Sequence, residues 1–380
     1  MSCWLQKTEL SPNLRVLFRA DASLQIGSGH IMRCLTLAES LRQEGAEVMF
    51  ACRTHLGNMI GLLLQKEFTV YQLPLENSEH NGRTSSKLRV TVEDYSDWLG
   101  CSQDQDSQAT LKAIGKTQFD WLIVDHYGLD EYWEHQLRTT TQKLMVIDDL
   151  ANRTHDCDLL LDQNYFMNAT SRYDNLIPPS SIRLLGPKYA LLRPEFADAR
   201  KQLRTRSAKI QRVFVFFGGI DNDNITGLTL EALSDPSLRH LEADVVIGMN
   251  NPHKAKIEAQ VSQRPRTLLH VQVSNIASLM ARADLALGAG GATTWERICV
   301  GIPSIVFSLA ENQRLTSEEL AADGYIDFIN TDDGISYELC KEVILRKITV
   351  LNENVARKLE LVDGNGLYRV MKQLEQSLAN

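Results

Sequence analysis

Short apolar runs separated by longer mixed segments set the rhythm of this chain. In the first half, residues 15–19, 47–52, 70–73, 121–125, 144–148 and 159–162 are apolar runs of strand length, and their alternation with helical or loop segments argues for a parallel α/β sheet. Residues 31–42 carry a helical period, with Leu35, Leu37, Ala38 and Leu41 largely on one face. Between residues 75 and 118 the composition turns polar, as in Asn77-Ser-Glu-His-Asn-Gly82 and Gln103-Asp-Gln-Asp-Ser-Gln108, which reads as loops around short helices. A stretch at 195–209, rich in Arg, Lys, Gln and Ala, reads as an interdomain connector. The rhythm then restarts at 213–217, 244–247, 268–271, 285–287 and 302–307. From residue 336 onward the pattern is helical, broken at Asp363-Gly-Asn-Gly366. The expectation is an α/β protein with two Rossmann-like domains facing each other across a cleft, 1–195 and 205–380, the last helix (367–378) packing back on the first domain.

Composition narrows the partners. With 380 residues and 43% hydrophobic content the chain is long enough for two cores. A net charge of −8 excludes a general affinity for nucleic acid or anionic membrane, so an anionic ligand needs a local pocket. Seven scattered cysteines show no CxxC pair, which points to reduced thiols in the cytoplasm. No signal-peptide pattern opens the chain and no apolar run reaches bilayer length, so the expectation is a soluble, cytoplasmic protein.

Three glycine-bearing turns stand where strands hand over to helices. The first, Ile26-Gly27-Ser-Gly29-His30, places an imidazole at a helix N-terminus, where anions are attracted and a neutral, basic histidine is favoured. His30 is a cap or core residue, or a general base. The others are Phe217-Gly218-Gly219-Ile-Asp221 and Gly288-Ala-Gly290-Gly291-Ala292-Thr293-Thr-Trp-Glu296. Either can cradle a diphosphate or merely close a βα turn; neither is a P-loop or a full dinucleotide fingerprint. Thr293 and Glu296 match a helix capping box, while a carboxylate one turn into such a helix can also accept ribose hydroxyls. Asn312 is a turn former or a ligand donor. Tyr127, just past a strand, either orients substrate or water, or packs its ring and leaves its hydroxyl wet. Asp148, Asp149 and the cluster His155-Asp156-Cys-Asp158 lack the spacing of a known metal site.

The chain resembles a known family through Arg19-Ala-Asp21, Ile26-Gly-x-Gly-His30, Arg33, Asp125-His126-Tyr127-Gly128, Asp148-Asp149, Cys157-Asp158, Leu161, Asn164, Tyr189-Ala-Leu-Leu-Arg193, Gly218-Gly-x-Asp221, Asn275-Ile-Ala277, Glu296 and Asn312. These residues are similar to those of the UDP-sugar hydrolases of pseudaminic acid biosynthesis, a pathway serving flagellin glycosylation, and the likeness runs from residue 15 to about residue 325. The resemblance implies a GT-B-like scaffold and metal-independent, inverting hydrolysis of UDP-2,4-diacetamido-2,4,6-trideoxy-β-L-altropyranose at C1–O. It implies no cofactor, no nucleic acid and no membrane partner, and leaves the oligomeric state open. By the same resemblance His30 activates water and Tyr127 assists it. Asp21, Gly27, Gly29 and Arg33 join the substrate pocket of the first domain; Gly218, Gly219, Gly290, Gly291, Ala292 and Thr293 line the phosphates, with Glu296 at the ribose or uridine and Asn312 near the diphosphate. The extra sequence at 75–118 and the tail beyond Tyr325 inherit no role. Two other readings stay open: a glycosyltransferase in which His30 deprotonates an acceptor hydroxyl, and a non-catalytic UDP-sugar sensor.

Overall fold

The computed structural model describes residues 14–75, 95–203, 209–309, 311–332, 334–349 and 359–379, and the side chains of these except 311 and 312. The polar run at 77–82 lies outside them. The chain forms two units. The first holds the described residues up to Gln163, Asn168–Leu185 and the segment from Tyr368; the second holds Asn164–Met167 and Gly186–Leu367.

The first unit is built on seven parallel strands, β1 (Arg15–Ala20), β2 (Glu47–Arg53), β3 (Thr69–Leu73), β4 (Phe119–Asp125), β5 (Thr141–Ile147), β6 (Leu159–Asp162) and β7 (Ile182–Leu185), in the order β3-β2-β1-β4-β5-β6-β7. Successive side chains of a strand alternate between faces. Leu17 therefore joins a core with Leu122, Val146 and Trp133, while its neighbour Phe18 stacks on its register partner Phe50 at 5.0 Å. The crossovers are α1 (Gly29–Gln43), α2 (Ile60–Gln65), α3 (Gln103–Ile114) and α4 (Glu131–Leu137). The polar run 103–108, in the stretch expected as loops around short helices, is the first half of α3. Ser102 and Gln105 close a reciprocal capping box there, which stabilises a helix whose composition alone looked like a turn. The C-terminal helix (Gly366–Leu378) supplies the Leu374 carbonyl that accepts from Trp121 Nε1 at 3.3 Å, and the residues from Tyr368 onward belong to this unit.

The second unit repeats the architecture with six strands: β8 (Arg212–Phe216), β9 (Glu242–Ile247), β10 (Thr267–Val271), β11 (Leu285–Ala289), β12 (Ser304–Phe307) and β13 (Asp327–Ile329), in the order β10-β9-β8-β11-β12-β13. Val213 and Val215 face one core and Phe214 the other. The first half of the segment expected as a connector is a helix, α5 (Pro194–Lys201), started by a proline in its first turn, and residues 204–208 lie outside the described residues. Its Phe196 is fully buried in the core of the second unit, so the division falls at Leu185/Gly186 rather than after residue 195. The remaining helices are α6 (Ile225–Leu233), α7 (Lys254–Gln263), α8 (Ile276–Arg282), α9 (Ala292–Cys299), α10 (Glu311–Ala322) and α11 (Tyr337–Thr349). Asp221, part of the Gly218-Gly-x-Asp221 motif, accepts from the Ile225 and Thr226 amides and so serves the start of α6.

Candidate active site

In a sheet ordered β3-β2-β1-β4-β5, the chain leaves β1 toward one edge and β4 toward the other, and the two diverging loops open a crevice at the strands' carboxyl ends. His30 comes from the first of these loops and Asp125 ends the second strand, in register with Ala20. His30 Nδ1 lies 2.5 Å from Asp125 Oδ1. An ionised carboxylate only accepts, so Nδ1 carries the proton in this pair, which leaves Nε2 as the nitrogen directed elsewhere. Nε2 has no hydrogen-bond partner among the described residues. Gly27 holds φ +76°, a left-handed angle that favours glycine, and a Cβ added at Gly27 or Gly29 would meet no atom within 4 Å.

Behind the imidazole stands a charge network. Arg33, one turn along α1, grips both oxygens of Asp125 through Nε and Nη2, each at 2.6 Å, and reaches Asp149 through Nη1 at 3.3 Å. Burial alone would raise the Asp125 carboxyl, yet Arg33 and His30 hold it well below the usual carboxylate range. Expected to touch substrate, Arg33 instead has its guanidinium committed to two carboxylates, and it holds the Asp125 carboxylate that faces His30. Asp21 is also displaced from the expected role. It is fully buried, paired with Arg19 at 2.8 Å and accepting from the Arg53 amide at 2.6 Å. Beneath it, Asp106 of α3 binds Arg19 at 2.7 Å and also takes Arg53 and the Trp133 indole. Without Asp106 the Arg53 guanidinium would lose its carboxylate partner and Arg19 would keep only Asp21, so this part of the extra segment is built into the unit.

Tyr127 is buried, and its hydroxyl is not wet: it donates to Asp149 Oδ1 at 2.5 Å. Burial and that carboxylate push the phenol well above its ordinary pKa, so it stays protonated. Its ring packs edge-on against His30 at 4.6 Å and stacks on Trp98 at 5.5 Å. Sequence reasoning missed Trp98, for which the aromatic pattern Tyr95-Ser-Asp-Trp98 was the available signal, and it named Asp149 without the partners it has here, Tyr127 and Arg33. Of the carboxylates weighed as metal ligands, Asp148 pairs with Arg153 and accepts from the Ala151 amide, and Asp156 and Asp158 both serve Arg138. His155 Nδ1 sits 2.6 Å from Glu134.

The second unit has its own crevice, between β8 and β11. Gly218 (φ +98°) follows β8 and Gly291 (φ +82°) immediately precedes α9, both in backbone states closed to other residues without strain. Among the described residues no side chain caps α9, so its first amides, among them those of Ala292 and Thr293, are left at the crevice end of the sheet as donors that could serve an anion. A Cβ at Gly218 would meet nothing within 4 Å, whereas one at Gly290 would strike Gln313 Oε1 at 2.9 Å; Gly290 is small because α10 packs there. Gly219 lies against Gly248. Gln313 Oε1 is buried and has no hydrogen-bond partner among the described residues, a polar group over the turn that the sequence did not single out. Asn312 falls in α10, its side chain outside the described residues.

Of the two readings left open for Thr293 and Glu296, the capping box does not form. Gly291 is the N-cap, and Thr293 lies inside α9 with its hydroxyl accepting from Arg297 at 3.2 Å. Glu296 is left as a carboxylate 16% exposed, 3.9 Å from Arg193. Burial raises it to about 7, against the pull of Arg193 and Arg297.

Two Rossmann-like parallel-sheet units of this kind constitute the GT-B fold, and the chain shares it with MurG of Acinetobacter baumannii, with a TM-score of 0.60 at 14% identity over 96% of this chain and 100% of that one. No protein-family model matches the chain. In sequence it is similar to the UDP-2,4-diacetamido-2,4,6-trideoxy-beta-L-altropyranose hydrolase of Campylobacter jejuni, 27% identical over 314 residues that span 82% of this chain and 98% of the relative. The spore coat polysaccharide biosynthesis protein SpsG of Bacillus subtilis is 23% identical over 366 residues, 94% of this chain and 96% of that protein.

Proposed function

We propose that this chain hydrolyses a UDP-sugar at C1–O with inversion, and that its substrate is that of the Campylobacter relative, giving UDP and free 2,4-diacetamido-2,4,6-trideoxy-L-altrose. His30 Nε2 takes a proton from water as the water oxygen bonds to C1; the C1–O bond breaks with its electron pair leaving on UDP, and the proton passes to solvent. UDP is a weakly basic leaving group, so one base suffices. Asp125 fixes the tautomer and stabilises the imidazolium, Arg33 and Asp149 hold Asp125 and Tyr127, and Tyr127 fixes the imidazole ring. In the second unit, the Gly218–Gly219 and Gly290–Gly291 turns with the α9 amides would hold the diphosphate, and Glu296 the ribose.

The observation carrying this reading is the pairing of His30 Nδ1 with Asp125 while Nε2 stays without a partner. The fold shared with MurG favours a second reading, transfer to an acceptor hydroxyl. Purified protein incubated with the UDP-sugar alone and followed by NMR separates them. UDP release with an inverted first-formed anomer supports hydrolysis, release only on adding an acceptor supports transfer, and binding with no release leaves a sensor.

A further inference from the structure

The turn Ser96–Leu99 lies in the segment to which no role was assigned, yet it is fastened to the catalytic end of the first sheet. Leu99 is buried in the core, and the Tyr95 carbonyl packs so tightly on Gly128 that a Cβ there would come within 2.9 Å of it. This fixes Trp98. One part of its indole stacks on Tyr127 (5.5 Å, 28° between planes), Tyr95 packs edge-on at 4.7 Å, and the His30 ring stands perpendicular at 6.3 Å. Tyr95 and Tyr127 are both buried, whereas Trp98 keeps part of its surface open. Its indole N–H has no partner among the described residues. A rigid aromatic surface beside the base, apolar on its face and polar at one edge, matches a pyranose ring with its apolar C–H face and polar rim.

Resting on the hydrolase reading, we propose that Trp98 determines sugar specificity: its open indole surface packs against the apolar face of the hexose presented to His30, favouring sugars that carry methyl groups, from deoxy carbons or acetamido groups, over fully hydroxylated ones. Such a contact acts equally on substrate and transition state, so it moves KM rather than kcat.

Fluorescence tests this apart from turnover. The other described tryptophans, Trp121, Trp133 and Trp295, are at most 1% exposed. In the binding-competent, inactive His30→Asn protein, adding the relative's UDP-sugar should shift tryptophan emission beyond the change caused by UDP, and Trp98→Phe in the same background should remove that extra shift. Emission identical with UDP and UDP-sugar overturns the proposal even if hydrolysis is real. A sugar-dependent shift keeps it even if no UDP-sugar is hydrolysed, in which case the hydrolase reading fails. In the active protein Trp98→Ala should raise KM for that UDP-sugar about tenfold with kcat nearly unchanged, and narrow its preference over UDP-glucose. A fall in kcat with a displaced pH profile, in Trp98→Phe as in Trp98→Ala, would instead make Trp98 a support for His30 and overturn the assignment.

Discussion

The two units offer the same crevice by different chemistry. At the β1/β4 crevice the groups we propose to work are side chains: one imidazole, paired with a carboxylate that an arginine holds in turn. At the β8/β11 crevice they are main-chain groups, two glycine turns and the uncapped start of α9. A proton-transfer site needs a titratable atom at one orientation, and that takes buried partners to lock the rotamer. An anion site needs several donors converging on a small volume, and backbone amides at a helix start provide them only if no side chain stands in the way. The first site should therefore fail through loss of one atom, the second through loss of shape.

The sharpest break is His30→Asn. Turnover should fall at least about a hundredfold, as for loss of a general base, with UDP affinity by calorimetry nearly unchanged; retained turnover would move the base elsewhere. Asp125→Asn comes next. The amide can no longer accept from Nδ1 as a carboxylate does, and Arg33 is left short of charge, so kcat should drop about a hundredfold. The melting temperature should drop with it, because a buried ion pair broken on one side costs about 3–5 kcal/mol. Equal losses in Arg33→Lys would sharpen the view that Arg33 acts through Asp125 rather than on substrate.

The second site answers more gently. Gly291→Ala forces a side chain into a φ of +82°, a strain of about 1–3 kcal/mol, and should weaken UDP binding by about tenfold while leaving kcat at saturation intact. A matching loss in kcat would erase the contrast between the units. The smallest effect concerns Glu296. Its carboxyl is raised to about 7 in the folded state by burial, so the native protein holds a proton that the unfolded chain has lost. Stability from this group is present below the unfolded value and is lost as pH rises through about 7. Glu296→Gln should flatten the melting temperature between pH 5 and 8, and it should also flatten any pH dependence of UDP affinity. A stability profile that keeps its slope would place the titration in another group.

Much of the frame was legible because it is local. The apolar runs became the strands β1–β6 and β8–β12, since hydrophobic period and length are properties of a few neighbouring residues. The strands β7 and β13 were not seen: both are short edge strands, four and three residues long, with little continuous apolar signal. For the 75–118 stretch, read as loops around short helices, the bounds of α3 stayed open because a capping box, not hydrophobicity, starts it.

By itself the sequence determined where the glycine turns fall and which histidine heads a helix, because a positive φ at Gly27, Gly218 or Gly291 is a demand of the backbone at that residue. Only the tertiary structure decided what surrounds that histidine. Asp125 lies 95 positions away from His30 and meets it because β4 pairs with β1. Trp98 arrives from a mostly polar segment in which only the spacing of Tyr95 and Trp98 marks it, and Arg33 and Asp21 turn inward because buried charges must find opposite charges before they can meet a ligand. Strand order is a property of the whole sheet, and so, therefore, is the identity of the neighbours at its crevice.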